Sequence, residues 1–209
     1  MGQCCEVLTD IPKRQRTVLL AILWINAAMF AVECTAGVLA HSTALLADSI
    51  DMLGDATVYG VSLFALARGP VWKARAAGLK GAVMLTFGVG LLVEVGLKLA
   101  RGVVPTVELM SGVGALAMIA NAVCLALLWR RRADDINMRS AWVCSVNDVA
   151  GGGAVLLAAA GVAWTGSAWP DIAVGMLVAA MFSVSGLSVC RAALRGRRVA
   201  ASGSVADVA

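Results

Sequence analysis

Six apolar blocks, each near or above the roughly 20 residues that a helix needs to cross about 30 Å of hydrocarbon, take up most of this chain. They run approximately over 17–39, 44–67, 76–100, 107–129, 139–164 and 171–193. Inside a bilayer the backbone has no water to bond, so segments of this length must close their hydrogen bonds within themselves as helices. The expected fold class is therefore all-α, a polytopic membrane protein built as a bundle of six transmembrane helices. Composition agrees: 60% of the 209 residues are apolar and 14% charged, against about a quarter charged in a soluble domain. An ordinary soluble globule is excluded.

The expected organisation is a leader over 1–16, one six-helix membrane domain over 17–193 and a short tail over 194–209. Met1 to Arg16 contains no apolar h-region, so the first span is expected to insert uncleaved. Residues 199–209 are rich in Ala, Ser, Gly and Val without a period, and are expected to be a loose tail rather than a further domain.

Basic residues set the orientation, because positively charged loops stay cytoplasmic. Lys13, Arg14 and Arg16 precede the first span, and Arg68, Lys73, Arg75 and Lys80 lie between the second and third or just inside the third. Arg130, Arg131, Arg132 and Arg139 separate the fourth and fifth, and Arg191, Arg195, Arg197 and Arg198 close the sixth. The other side has Lys98 and Arg101. Both termini are expected in the cytoplasm, with the chain a multi-pass protein of a cell membrane, the inner one in a bacterium. The net charge of +4 follows from orientation, and no nucleic acid partner is implied.

Trp72, Trp129, Trp164 and Trp169 fall near span ends, where amphipathic rings settle at the headgroup level. Cys4, Cys5, Cys34, Cys124, Cys144 and Cys190 lie in spans or on the cytoplasmic side, which argues against a disulfide framework. Pro70, Pro105 and Pro170 lie in or beside loops. Gly88, Gly90, Gly112, Gly114 and the run Gly151 to Gly153 are expected at close helix contacts, the last letting the fifth helix approach a neighbour near Asp148.

The second span carries Asp48, Asp51 and Asp55. A carboxylate at a membrane helix centre costs about 2.5–3.5 kcal/mol on insertion scales, and is tolerated where it faces a wet cavity, a partner charge or an ion. Asp51 and Asp55 are four residues apart on one helical face, and Asp48 adjoins at three. The fifth span supplies Cys144 and Asp148, again four apart. Packed together, the two faces offer Asp51, Asp55, Asp148 and Cys144, three carboxylates and a thiolate, as a tetrahedral donor set that zinc accepts at about 2.0–2.3 Å. The soft thiolate argues against magnesium and calcium.

The segment from His41 through Asp48, Asp51 and Asp55, with Cys144 to Gly152 in the fifth span and Trp169-Pro170-Asp171 opening the sixth, resembles the cation diffusion facilitator family. The resemblance implies an efflux transporter for divalent zinc, cadmium or cobalt, exchanging metal for protons by alternating access, with no resident cofactor and no enzymatic activity. It places Asp51, Asp55 and Asp148 in the metal site, with Cys144 where the family usually has histidine. That departure shifts the expected preference toward softer ions such as cadmium. The family usually carries a cytoplasmic dimer-forming domain after the sixth helix; the chain is expected to stop before one, and a homodimer remains an open expectation.

Other readings attach to particular residues. Cys4 and Cys5, beside Glu6, are either a collecting point for thiophilic metal or an ordinary terminus. His41 is expected as a solvated residue of the outer join rather than a ligand. Glu33 and Glu94 lie within spans, where they either assist proton movement or pair with Asn26 and Asn121. A membrane subunit or receptor that binds metal without moving it is the alternative function, and proton-only conduction another. A soluble enzyme is excluded for want of a nucleophile–base set.

Overall fold

The computed structural model describes residues 13–65, 70–130, 132, 136–184 and 187. The leader with Cys4 and Cys5, the basic Arg68 and Arg131, and Cys190 with the tail beyond it lie outside these residues, as do the side chains of Trp72, Lys73, Arg75 and Lys80.

Among the described residues six helices follow one another: α1 (Lys13–Ala40), α2 (Thr43–Ala65), α3 (Pro70–Arg101), α4 (Val107–Trp129), α5 (Ile136–Thr165) and α6 (Trp169–Val184). The expected all-α bundle is observed. Pro70 and Pro170 fall in the first turns of α3 and α6, where a missing N–H costs nothing. Both helices therefore start earlier than the apolar blocks suggest. Gly102 and Gly166 end α3 and α5 in left-handed conformation, with φ of 64° and 62°. Their amides donate back to the carbonyls of Lys98 and Val162, each at 2.9 Å.

α1 and α2 form a tight hairpin. His41 takes φ 52°, its N–H donates to the Val38 carbonyl, and the Ser42 N–H reaches the Gly37 carbonyl at 2.9 Å. This is the Schellman termination of α1, with a histidine where glycine is commoner.

α2 is the central helix. Tyr59 packs with Leu19, Ile22, Cys124, Leu128 and Ala141 near one end of the bundle, and Ala44 and Leu45 pack with Ala36, Met110, Val155, Ala158 and Ala159 near the other. Between them Met52 meets Met29 and Ala117. These clusters join α1, α2, α4 and α5. On the remaining side of α2, Ala47 and Ile50 pack with Leu91 of α3 and with Ala179 and Phe182 of α6.

The outside is apolar, as a bilayer requires: Trp24, Ile119, Leu157 and Leu177 are all more than 60% exposed. Among the described residues three stretches, Gln15–Ala40, Val107–Trp129 and Ala141–Thr165, are long and apolar enough to cross a membrane. α2 has the length but carries three carboxylates inside its apolar sequence, and α6 is a shorter apolar helix over its described part. Trp129, Trp164 and Trp169 are exposed at helix ends, as expected of interfacial rings. Trp129 meets Trp142 edge to face at 6.2 Å and carries the Arg132 guanidinium 3.8 Å above its ring.

The glycines divide. A methyl group on Gly88 would lie 2.8 Å from Ser183 Oγ, and one on Gly114 3.2 Å from Val155 and Leu156, so both sit at close helix contacts. Gly90 and Gly112 face open space, contrary to expectation, because their side of the helix turns away from its neighbours.

Candidate functional site

Antiparallel packing of α2 against α5 sets the site. Running in opposite directions, the two helices bring Asp51 opposite Asp148. The two carboxyls are close enough for a hydrogen bond, and Asp55 and Asp48 are within electrostatic reach of Asp148 on either side. Cys144, one turn from Asp148, and Tyr59, one turn beyond Asp55, share the neighbourhood of Asp55. Asp55, Cys144 and Asp148 are buried and Asp51 half-buried. Asp51 and Asp55 thus approach Asp148 between the two helices, and Cys144 lies one turn along α5 from Asp148. Among the described residues, no group of three or more His, Cys, Asp and Glu side chains is arranged so that it could hold a metal ion.

α4 and α1 wall the site. Asn121 of α4, fully buried, donates from Nδ2 to the Asp148 carbonyl at 3.2 Å, and Cys124, one turn on, lies within reach of Asp148 and Asp55. Asn121 is therefore tied to α5 and not to a glutamate. Glu33 of α1 is fully buried, with both carboxylate oxygens lacking a hydrogen-bond partner, and its charged neighbours are Asp48 and Asp51. Glu94 of α3 is half-buried. The glycine run of α5 lies where α2 and α4 approach: a methyl on Gly151 would stand 3.4 Å from Asp48 Oδ1, and one on Gly152 3.6 Å from Met118. These are ordinary contact distances, so the run makes room beside the acids without being sterically demanded.

A second polar assembly was not apparent from sequence. Asp171, in the first turn of α6, aims its carboxylate at the start of α2. It accepts from Ser42 Oγ at 2.6 Å, Thr43 N at 2.8 Å, Thr43 Oγ1 at 2.7 Å and Ala44 N at 3.1 Å. Ser42 Oγ in turn accepts the Leu45 N–H at 3.1 Å, so three of the four orphan amides of α2 are satisfied by side chains. Lys98 of α3 completes the assembly, with Nζ 2.5 Å from Asp171 Oδ2 and bonded to the His41 carbonyl. Lys98, counted from sequence as an ordinary charge of the outer side, is buried, because a partner carboxylate compensates it. His41 contributes its backbone, while its side chain faces outward.

Comparison with known proteins bears on this arrangement. The family model described as the cation efflux transmembrane domain matches residues 19–196. Two curated relatives are the metal cation efflux system protein CzcD of Cupriavidus metallidurans and the cation efflux system protein CzcD of Alcaligenes sp. strain CT14. Each is 27% identical over 181 residues, which cover 81% of this chain and 57% of the relative. The chain thus spans little more than half the length of the curated relatives it matches.

Proposed function

The chain belongs to the cation efflux, or cation diffusion facilitator, family, and from that premise we propose that it carries divalent transition-metal ions out of the cytoplasm in exchange for protons. The proposed cargo is zinc first, with cadmium and cobalt as further ions. Asp51, Asp55, Cys144 and Asp148 are its proposed ligands. The observation that carries this reading is the approach of Asp51 to Asp148 across the α2–α5 contact, with Asp55 at hand. Carboxylates from two lipid-embedded helices have no reason to face one another unless a cation or protons compensate them.

The chemistry suits exchange. Carboxylates and thiols bind metal in their deprotonated form, so loading releases protons and reprotonation expels the ion. On this reading α2 and α5 must move relative to one another to gather and then spread donors held on opposing faces. The same reading puts both termini in the cytoplasm, admits a homodimer, and treats the protein as a transporter that leaves its cargo chemically unchanged.

The test is metal flux into proteoliposomes carrying the purified chain. Asp55→Ala and Asp148→Ala are each expected to abolish zinc-driven uptake while the protein still reconstitutes. Undiminished flux in either variant removes that residue from the site. Metal binding by the native chain with no flux at all would instead make it a membrane receptor.

A further inference from the structure

One helical turn from Asp51, on the side toward the α1–α2 hairpin, two further acids are buried: Glu33 on α1 and Asp48 on α2. Glu33 is 0% and Asp48 5% exposed. Three of their carboxylate oxygens, Glu33 Oε1 and Oε2 and Asp48 Oδ2, are buried and accept no hydrogen bond. The two groups lie within electrostatic reach of one another, and Asp51 of the proposed quartet lies within reach of both. The ion pair seen among the described residues, Lys98 with Asp171, is committed elsewhere. Buried carboxylates are normally paired or hydrogen-bonded, and orphaned acceptors of this kind call for a compensating ligand. Opposite them α5 presents Gly151, which has no side chain to satisfy or cover Asp48 Oδ1.

We infer that Glu33 and Asp48 form a second, all-oxygen site for a divalent cation, a staging position between the Asp51–Asp148 pair and the hairpin end of the bundle. Two carboxylates provide up to four oxygens, and water completes the coordination sphere of a dication held this loosely. A site without nitrogen or sulfur binds more weakly and less selectively than one bearing a thiolate, which suits a position that an ion must leave as readily as it enters. The inference rests on the transport reading above, and extends it by adding residues outside the proposed quartet.

Cadmium separates the two sites, because only a thiolate ligand gives the ultraviolet charge-transfer band of a cadmium–sulfur bond. The full chain with Cys4, Cys5, Cys34, Cys124 and Cys190 replaced by serine, which leaves Cys144 as its one thiol, is titrated with cadmium in detergent, with stoichiometry followed by equilibrium dialysis and sulfur ligation by absorbance. Two ions per chain are expected in this parent protein, from which the further variants are made. Glu33→Gln combined with Asp48→Asn should bind one and keep the sulfur band; Cys144→Ala combined with Asp148→Ala should lose the band and keep one weak ion. Unchanged stoichiometry in the Glu33/Asp48 variant overturns the inference, whereas a parent protein with no sulfur band overturns the quartet instead. The metal-free thermal midpoint supplies a further check. Amides in place of unpartnered acids should leave it unchanged or raised, and a clear fall would show that the two acids act as structural partners.

Discussion

The Lys98 ammonium sits 2.5 Å from Asp171 Oδ2 with 2% and 0% of the two side chains exposed, and through this pair α2, α3 and α6 are held at one point. Removing one member of a buried pair strands the other charge, at a cost of about 3–5 kcal/mol. Lys98→Ala should therefore lower the thermal midpoint in detergent strongly. Asp171→Ala should lower it further, since it also strips the cap from α2, typically worth about 1 kcal/mol. In the double variant no charge is stranded, so its loss should fall well short of the sum of the singles. Additive losses would mean that the two residues are not coupled.

His41 offers a test of backbone against side chain. Its φ of 52° closes α1, while its imidazole faces outward. A β-branched residue in this conformation is disfavoured by about 1–2 kcal/mol, and glycine is not. His41→Val should lower the thermal midpoint and His41→Gly should preserve it, and neither should change zinc flux per folded molecule. Loss of flux in the stable glycine variant would give the imidazole a role in metal transfer.

These cases show what the sequence could reveal. Long apolar blocks locate the helices because the bilayer leaves them no other conformation. The three-and-four spacing of Asp48, Asp51 and Asp55, matched by Cys144 and Asp148, survives in the structure because it belongs to single helices whose mutual approach brings the faces together. The Lys98–Asp171 pair was hidden for the opposite reason. The two residues lie 73 positions apart on helices joined only through packing, and no local spacing announces them. Glu33 was likewise ambiguous, because its partner depends on how α1 is rotated about its own axis. The packing gives Asn121 to the Asp148 carbonyl and leaves Glu33 facing acids.

Packing at the same junction supplies a steric prediction. A methyl on Gly175 would stand 2.7 Å from both Cβ and Oγ1 of Thr43, whose hydroxyl bonds Asp171. Overpacking of this kind typically costs about 1–3 kcal/mol. Gly112 of α4 has open space around it, and alanine there should add up to ~1 kcal/mol of helix stability. Thermal melts of Gly175→Ala and Gly112→Ala should thus move in opposite directions. A fall in both would mean that Gly112 also serves a contact.

Cys144 is where ion preference is expected to be written. It is buried on the face of α5 that carries Asp148, near Asp55, and offers the quartet its one soft donor. Exchanging sulfur for imidazole or hydroxyl should weaken cadmium more than zinc, because thiolate favours softer ions. A differential of about 1.4 kcal/mol would appear as a tenfold fall in the cadmium-to-zinc uptake ratio. Cys144→His tests the family's usual donor, and Cys144→Ser keeps nearly the native volume, so a packing defect in the first would not obscure the result. Competition uptake of the two ions into vesicles measures the ratio directly. If native protein and both variants rank the ions alike at comparable flux, the sulfur does not touch the cargo, and selectivity must come from the spacing of Asp51, Asp55 and Asp148.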